Sequence, residues 1–211
     1  MARVPRVKIC GITTAQEATL AAEAGADAIG LVFHERSPRH LDPDRAARII
    51  AATPAFVTVV GLFMNPERRQ LETLLQILPL ELLQFHGRES GAFCRSFGRR
   101  YIKAVGMSGN PDMDSIAGEY GDAAALLVDS HAGDRDGGSG ETFDWSRWPE
   151  VPDRRLILAG GLNPGNVGQA IRELRPWGVD VSSGVESAPG RKDPEKMQQF
   201  IQEVHRVRES H

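Results

Sequence analysis

Short apolar runs rich in β-branched residues alternate with stretches of helical periodicity from one end of the chain to the other. Eight of these runs read as strands: Val7–Cys10, Ala28–Phe33, Val57–Phe63, Leu82–His86, Tyr101–Gly106, Ala124–Asp129, Arg155–Ala159 and Val179–Ser182. They are continuously apolar more than alternating, the pattern of parallel strands covered by helices. Between them the periodicity predicts helices over 14–24, 43–52, 66–77, 89–98, 111–119, 164–174 and 194–207, with a short, weak helical segment at 143–148.

One helix-starting device recurs. Asp42-Pro43, Asn65-Pro66, Asn110-Pro111, Asn163-Pro164 and Asp193-Pro194 each set a capping oxygen before a proline at the first helical position. The cap accepts from an orphan N–H, and proline loses nothing there because its own N–H would be unpaired. Thr14 and Glu17 offer a capping box for the first helix. The repetition predicts one supersecondary unit used again and again.

Strand–helix repeated eight times closes into a barrel or opens into a doubly wound sheet. At 211 residues the chain is a lean barrel, since about 200 is the practical minimum. The glycine-rich fingerprint of a dinucleotide sheet is missing after the first strand, where Cys10-Gly11-Ile12-Thr13 holds one glycine. The predicted fold is therefore an α/β closed (β/α)8 TIM barrel, one domain over residues 1–211.

Strand parity then sorts the polar residues. Lys8 with Cys10, Gln84 with His86, and Asp180 with Ser182 each share a face opposite apolar neighbours. The helix-facing side must be apolar, so these sets point into the barrel. Cys10, His86, Asp129 and Ser182 end their strands, at the rim where such barrels place their sites. Lys8 and Asp180 lie one layer deeper, on strands that become neighbours on closure, and read as a buried scaffold pair. Lys103 reads as a second inward cation.

Composition narrows the function. The formal net charge of −3 with acids and bases interspersed argues against a nucleic-acid partner. No apolar run approaches the roughly 18 residues of a membrane span, and the basic N-terminus has no signal-peptide stretch behind it. A cytoplasmic protein without a membrane partner is expected. No close cluster of cysteines and histidines suggests a metal site, and Cys10 and Cys94 stand far apart without CxxC spacing. Monomer is the default, since no exposed apolar helix face stands out.

Taken singly, the rim residues keep two readings. Cys10 reads as a small core hydrophobe or a reactive thiol, His86 as a strand-end cap or a site residue, and Asp129 as a loop cap or an acid. Cys94, beside Phe93 and Phe97, reads as core. Gly160-Gly161 after strand seven and Ser182-Ser183-Gly184 after strand eight are ordinary turns or a phosphate cradle of backbone N–H groups. Their place in the last two units favours phosphate. About ten residues after strand eight leave room for a short extra helix. The segment 131–142 reads as a lid or as a solvated loop.

Seven motifs in order resemble the phosphoribosylanthranilate isomerase family. They are Val7–Thr13, Ser37–Leu41, Leu83–Gly87 (with Phe85 in place of leucine), Leu126–Ser130, Gly137–Phe143, Leu158–Pro164 (with Ala159 where serine or alanine is usual) and Val179–Glu186. The resemblance implies an Amadori rearrangement of a small phosphoribosyl substrate, with no cofactor or metal, as the third step from chorismate to tryptophan. It implies Cys10 as general base and Asp129 as general acid. Arg39 would meet the anthranilate carboxylate through its bidentate fork, His86 would position substrate, and Gly160, Gly161, Ser183 and Gly184 would hold phosphate. The alternatives are another phosphosugar aminoaldose isomerase, whose strand one is expected to end in aspartate, and a non-catalytic phosphosugar-binding protein.

Overall fold

The computed structural model describes residues 5–108, 110–129 and 145–209. Eight parallel strands pair in sequence order: β1 (Arg6–Cys10), β2 (Ala28–Val32), β3 (Thr58–Phe63), β4 (Leu82–Phe85), β5 (Arg100–Gly106), β6 (Ala125–Asp129), β7 (Leu156–Leu158) and β8 (Gly178–Val181). The eighth returns to the first, so the sheet is a closed barrel without edges. Outside it lie α1 (Ala15–Ala24), α2 (Pro43–Ala52), α3 (Arg68–Ile77), α4 (Gly91–Arg95), α5 (Met113–Glu119), α6 (Val167–Leu174) and α7 (Pro194–Glu209). The weak segment predicted at 143–148 carries a single 3-10 turn, Trp145–Arg147, among the described residues.

The side-chain layers follow strand parity. Val7, Ile9, Leu83, Phe85, Tyr101, Val105, Leu126, Val128, Val179 and Val181 pack outward into the main core beneath the helices. Each such fully buried aliphatic or aromatic side chain contributes about 1.5–3 kcal/mol. Ile102, Ala104, Ala125, Leu127 and Ile157 on β5, β6 and β7, with Ala159 just after β7, form a second, inner cluster. The barrel interior is thus apolar on that side and polar around β8, β1 and β4. Phe85 faces outward and meets Phe63, Phe93, Phe97 and Tyr101, so its replacement of leucine lies on the helix side of β4.

The proline device divides by residue type. Asp42 accepts from the Arg45 N–H at 2.7 Å and Asp193 from those of Glu195 and Lys196, and both helices start at the proline. The three Asn-Pro pairs do not cap. Asn65 and Asn110 sit in the left-handed region, with φ of 49° and 57°, and α3 and α5 begin only at Arg68 and Met113. Asn163 turns its side chain onto the Gly165 N–H, delaying α6 to Val167. Asparagine tolerates the left-handed region and closes turns through its own amide, which gives the chain an alternative to the helix. In the capping box Thr14 accepts from the Glu17 N–H, but Glu17 reaches back to Thr13 rather than Thr14.

Candidate active site

The carboxyl ends of β1, β4, β6 and β8 bring the polar residues together. The register sets Lys8 beside Asp180, and their side chains meet at 2.9 Å in a buried pair. Burial alone would lower the Lys8 pKa, but Asp180 and Cys10 hold it above its ordinary value. Cys10 lies one layer higher on the same face of β1, and Gly30 on β2 leaves it room. A Cβ at Gly30 would stand 2.8 Å from the Cys10 sulfur and 3.1 Å from Lys8 Nζ. Burial pushes the Cys10 thiol up; Lys8 first and Lys192 more weakly pull it back.

His86 follows β4 directly. Its Nδ1 faces Gln84 Nε2 at 3.1 Å, and its Nε2 lies 3.5 Å from Asp129 Oδ2 at the end of β6. Burial keeps the His86 pKa below its ordinary value in spite of Asp129. The imidazole is therefore neutral near pH 7, and its contact with Asp129 is that of a neutral ring with a carboxyl group. Asp129 and His86 also act electrostatically on the titration of Asp180, so the five side chains Lys8, Cys10, His86, Asp129 and Asp180 form one electrostatic cluster.

Arg39 reaches the rim from the loop after β2, with its aliphatic stem across Gly11. A Cβ at Gly11 would overlap that stem, and its φ of 77° is one that glycine adopts without strain. Arg39 Nε and Nη2 are engaged by Glu186, at 2.7 and 2.8 Å. Glu186 thus occupies one bidentate edge of the guanidinium and does not engage the end-on edge of Nη1 and Nη2. Glu186 also accepts from Lys192 Nζ at 2.7 Å. Burial would raise the Glu186 pKa, but the two cations hold it below the usual carboxylate value.

Lys192 donates in addition to the carbonyl and hydroxyl of Ser182, and Glu17 accepts from its backbone N–H. This network joins loops one, two and eight. Glu186 carries no local sequence signal for this role, because its partner Arg39 lies 147 residues before it, and Lys192 joins the network through Glu186.

The two glycine loops sit side by side. Gly160 and Gly161 both take left-handed φ, 84° and 67°. Ser183–Val185 forms the short extra helix, a single 3-10 turn, and a hairpin of β9 (Glu186–Ala188) and β10 (Arg191–Lys192) follows. A Cβ at Gly184 would overlap the Leu162 carbonyl, so glycine there lets loop eight rest on loop seven. Among the described residues no protein acceptor meets the N–H of Gly160, Gly161, Ser183 or Gly184. Four partly exposed donors on adjoining loops suit an anion.

Lys103 corrects its sequence reading. It shares the parity of Tyr101 and Val105 and points outward, where Glu89 meets it at 3.0 Å and the Gly87 carbonyl accepts from it. Ile102 and Ala104 beside it are the inward residues, since the interior is apolar on that side. The segment 131–142, with motif residues Ser130 and 137–143, lies outside the described residues. Among the described residues no group of three or more potential metal ligands occurs, and no helix is long and apolar enough to cross a membrane.

A family model of N-(5'-phosphoribosyl)anthranilate (PRA) isomerase matches residues 7–203. The chain belongs to this family. It is an isomerase of tryptophan biosynthesis. The N-(5'-phosphoribosyl)anthranilate isomerase of Hahella chejuensis is 51% identical over 201 residues, covering 95% of this chain and 94% of that protein. The phosphoribosyl anthranilate isomerase of Thermotoga maritima superposes with a TM-score of 0.86 at 41% identity, over 95% of this chain and 98% of that one. A solved isomerase in complex with reduced 1-(o-carboxyphenylamino)-1-deoxyribulose 5-phosphate has a TM-score of 0.80 and 39% identity, with 95% and 98% covered.

Proposed function

We propose that the chain converts N-(5'-phosphoribosyl)anthranilate to 1-(2-carboxyphenylamino)-1-deoxyribulose 5-phosphate with Asp129 as acid and Cys10 as base. The observation that carries this reading is the cluster itself: a thiol and a carboxyl group end two different strands of one rim, tied electrostatically through Asp180 and His86. Asp129 gives its proton to the ribose ring oxygen, the C1–O bond breaks, and the anthranilate nitrogen takes up the positive charge as an iminium. Cys10 then removes the proton on carbon 2. The released electron pair moves toward the iminium, giving an enolamine that tautomerises to the aminoketose. The substrate is its own electron sink, so no cofactor or metal enters the scheme.

The ligand of the solved relative carries an aromatic carboxylate and a phosphate. Arg39, through the end-on edge that Glu186 does not engage, suits the first, and the N–H groups of Gly160, Gly161, Ser183 and Gly184 suit the second. His86 borders both acid and substrate space. The test is turnover of freshly generated phosphoribosylanthranilate, followed by loss of its fluorescence. Rapid turnover is expected, and its absence would move the assignment to another phosphosugar aminoaldose isomerase or to a non-catalytic phosphosugar-binding protein.

The reading includes a cytoplasmic monomer. Among the described residues only Phe56 and Ile77 are large exposed hydrophobics, too scattered for a stable interface. Light scattering is expected to give a mass near 23.0 kDa; twice that value would overturn the monomer.

A further inference from the structure

We propose that Gln84 is a positioning residue: it holds His86 as the Nε2–H tautomer and so places the transferable proton of Asp129 on Oδ1, the oxygen that His86 does not engage. The proposal rests on the acid role given to Asp129 above.

Gln84 is completely buried, facing the barrel interior one layer below the rim. Its amide nitrogen can only donate, so the His86 Nδ1 that it meets at 3.1 Å must be the unprotonated, accepting nitrogen. The ring is neutral, and its single hydrogen is then on Nε2, the atom beside Asp129 Oδ2. Their 3.5 Å separation is loose for a hydrogen bond, as is common before substrate tightens a site. An N–H there makes Oδ2 an acceptor. The carboxyl hydrogen of the acid form is left to Oδ1.

The other tautomer would reverse this. Nε2 would accept, the proton would be drawn to Oδ2, and it would be held between two protein groups instead of being offered to the sugar. The amide orientation has a cost that fits the role: Oε1 of Gln84 is buried with no hydrogen-bond partner among the described residues. Turning the amide over would strand its two hydrogens instead, while presenting an acceptor to Nδ1. The backbone supports the arrangement, since His86 N–H donates to the Phe63 carbonyl at 2.8 Å.

The experiment is nitrogen NMR of the full chain with ring-labelled histidine. The His86 signals, one set among six histidines, are assigned by subtraction with His86→Asn. Wild type is expected to carry its ring proton on Nε2. Gln84→Glu, studied at a pH where its carboxyl is ionised, presents only an acceptor to Nδ1, so the proton should move there and kcat should fall about tenfold or more, with KM within about threefold. Gln84→Met, which removes the donor with little change of volume, should give mixed tautomers and an intermediate kcat, and it serves if the glutamate variant does not fold.

A purely structural role would lower stability without moving the proton. A proton on Nδ1 in active wild type, or a relocated proton with undiminished kcat, overturns this proposal alone. A wild type without turnover overturns the acid role of Asp129 and with it the consequence drawn for Oδ1, while the ring signals still report on Gln84.

Discussion

Asp129→Asn and Cys10→Ser are each expected to lower kcat by about 10²–10⁴-fold with the fold intact, the range that a positioned acid or base contributes. Asparagine keeps the shape and hydrogen-bonding reach of Asp129 but has no proton to give. Serine keeps the small volume at Cys10, where Gly30 leaves little to spare. Its hydroxyl, however, ionises far less readily than a thiol, so the base is lost. The two variants should differ in single turnover. With Asp129→Asn the sugar ring stays closed and exchange of the carbon 2 hydrogen with solvent should vanish; with Cys10→Ser the ring still opens and the Schiff base should accumulate. Turnover by Cys10→Ser at the wild-type rate would take the base away from Cys10.

The second large effect is on stability. Lys8→Met strands the Asp180 carboxylate in the barrel and should cost about 3–5 kcal/mol, read as a lower urea midpoint with unchanged slope. Because the folded Lys8 pKa is raised, the stability it adds is complete below about 10.5, its ordinary value, and fades as pH climbs through the folded value. The same substitution removes the charge that most strongly opposes the effect of burial on Cys10. The working form of the base is the thiolate, which is lost as pH falls through the thiol pKa. Raising that pKa moves the acid limb of the rate profile to higher pH. Lys8→Met with Asp180→Leu should recover much of the stability, since an apolar pair can replace a buried ion pair, and should leave the limb displaced. A limb that stays in place would deny Lys8 any part in the activity.

Most of the barrel was legible in the chain because each strand is a local apolar run and parity needs only neighbours. The Lys8–Asp180 pair came from the same rule, applied to two strands that closure must join. Lys103 defeated it, because on β5 the inward face is as apolar as the outward one, so a lone lysine does not announce its side. Asn65, Asn110 and Asn163 looked like the aspartate caps, and only backbone φ or a side-chain bond separates the two uses. The Arg39–Glu186–Lys192 network was invisible for another reason: it joins the loop after β2 to the hairpin after β8, whose proximity depends on the finished fold.

The closure of β8 on β1 also bears on how the chain reaches its native state. Asp180 lies 172 residues after Lys8, so the ammonium buried at the first strand has no counter-charge until β8 has been made. Seven strand–helix units assembled during synthesis still leave an open sheet with two unpaired borders and a lysine that water must solvate. The eighth unit supplies the missing neighbour, the neutralising carboxylate and the second glycine loop in a single stretch. Commitment to the closed barrel thereby waits for β8, and a product truncated before it leaves one border of its first strand unpaired.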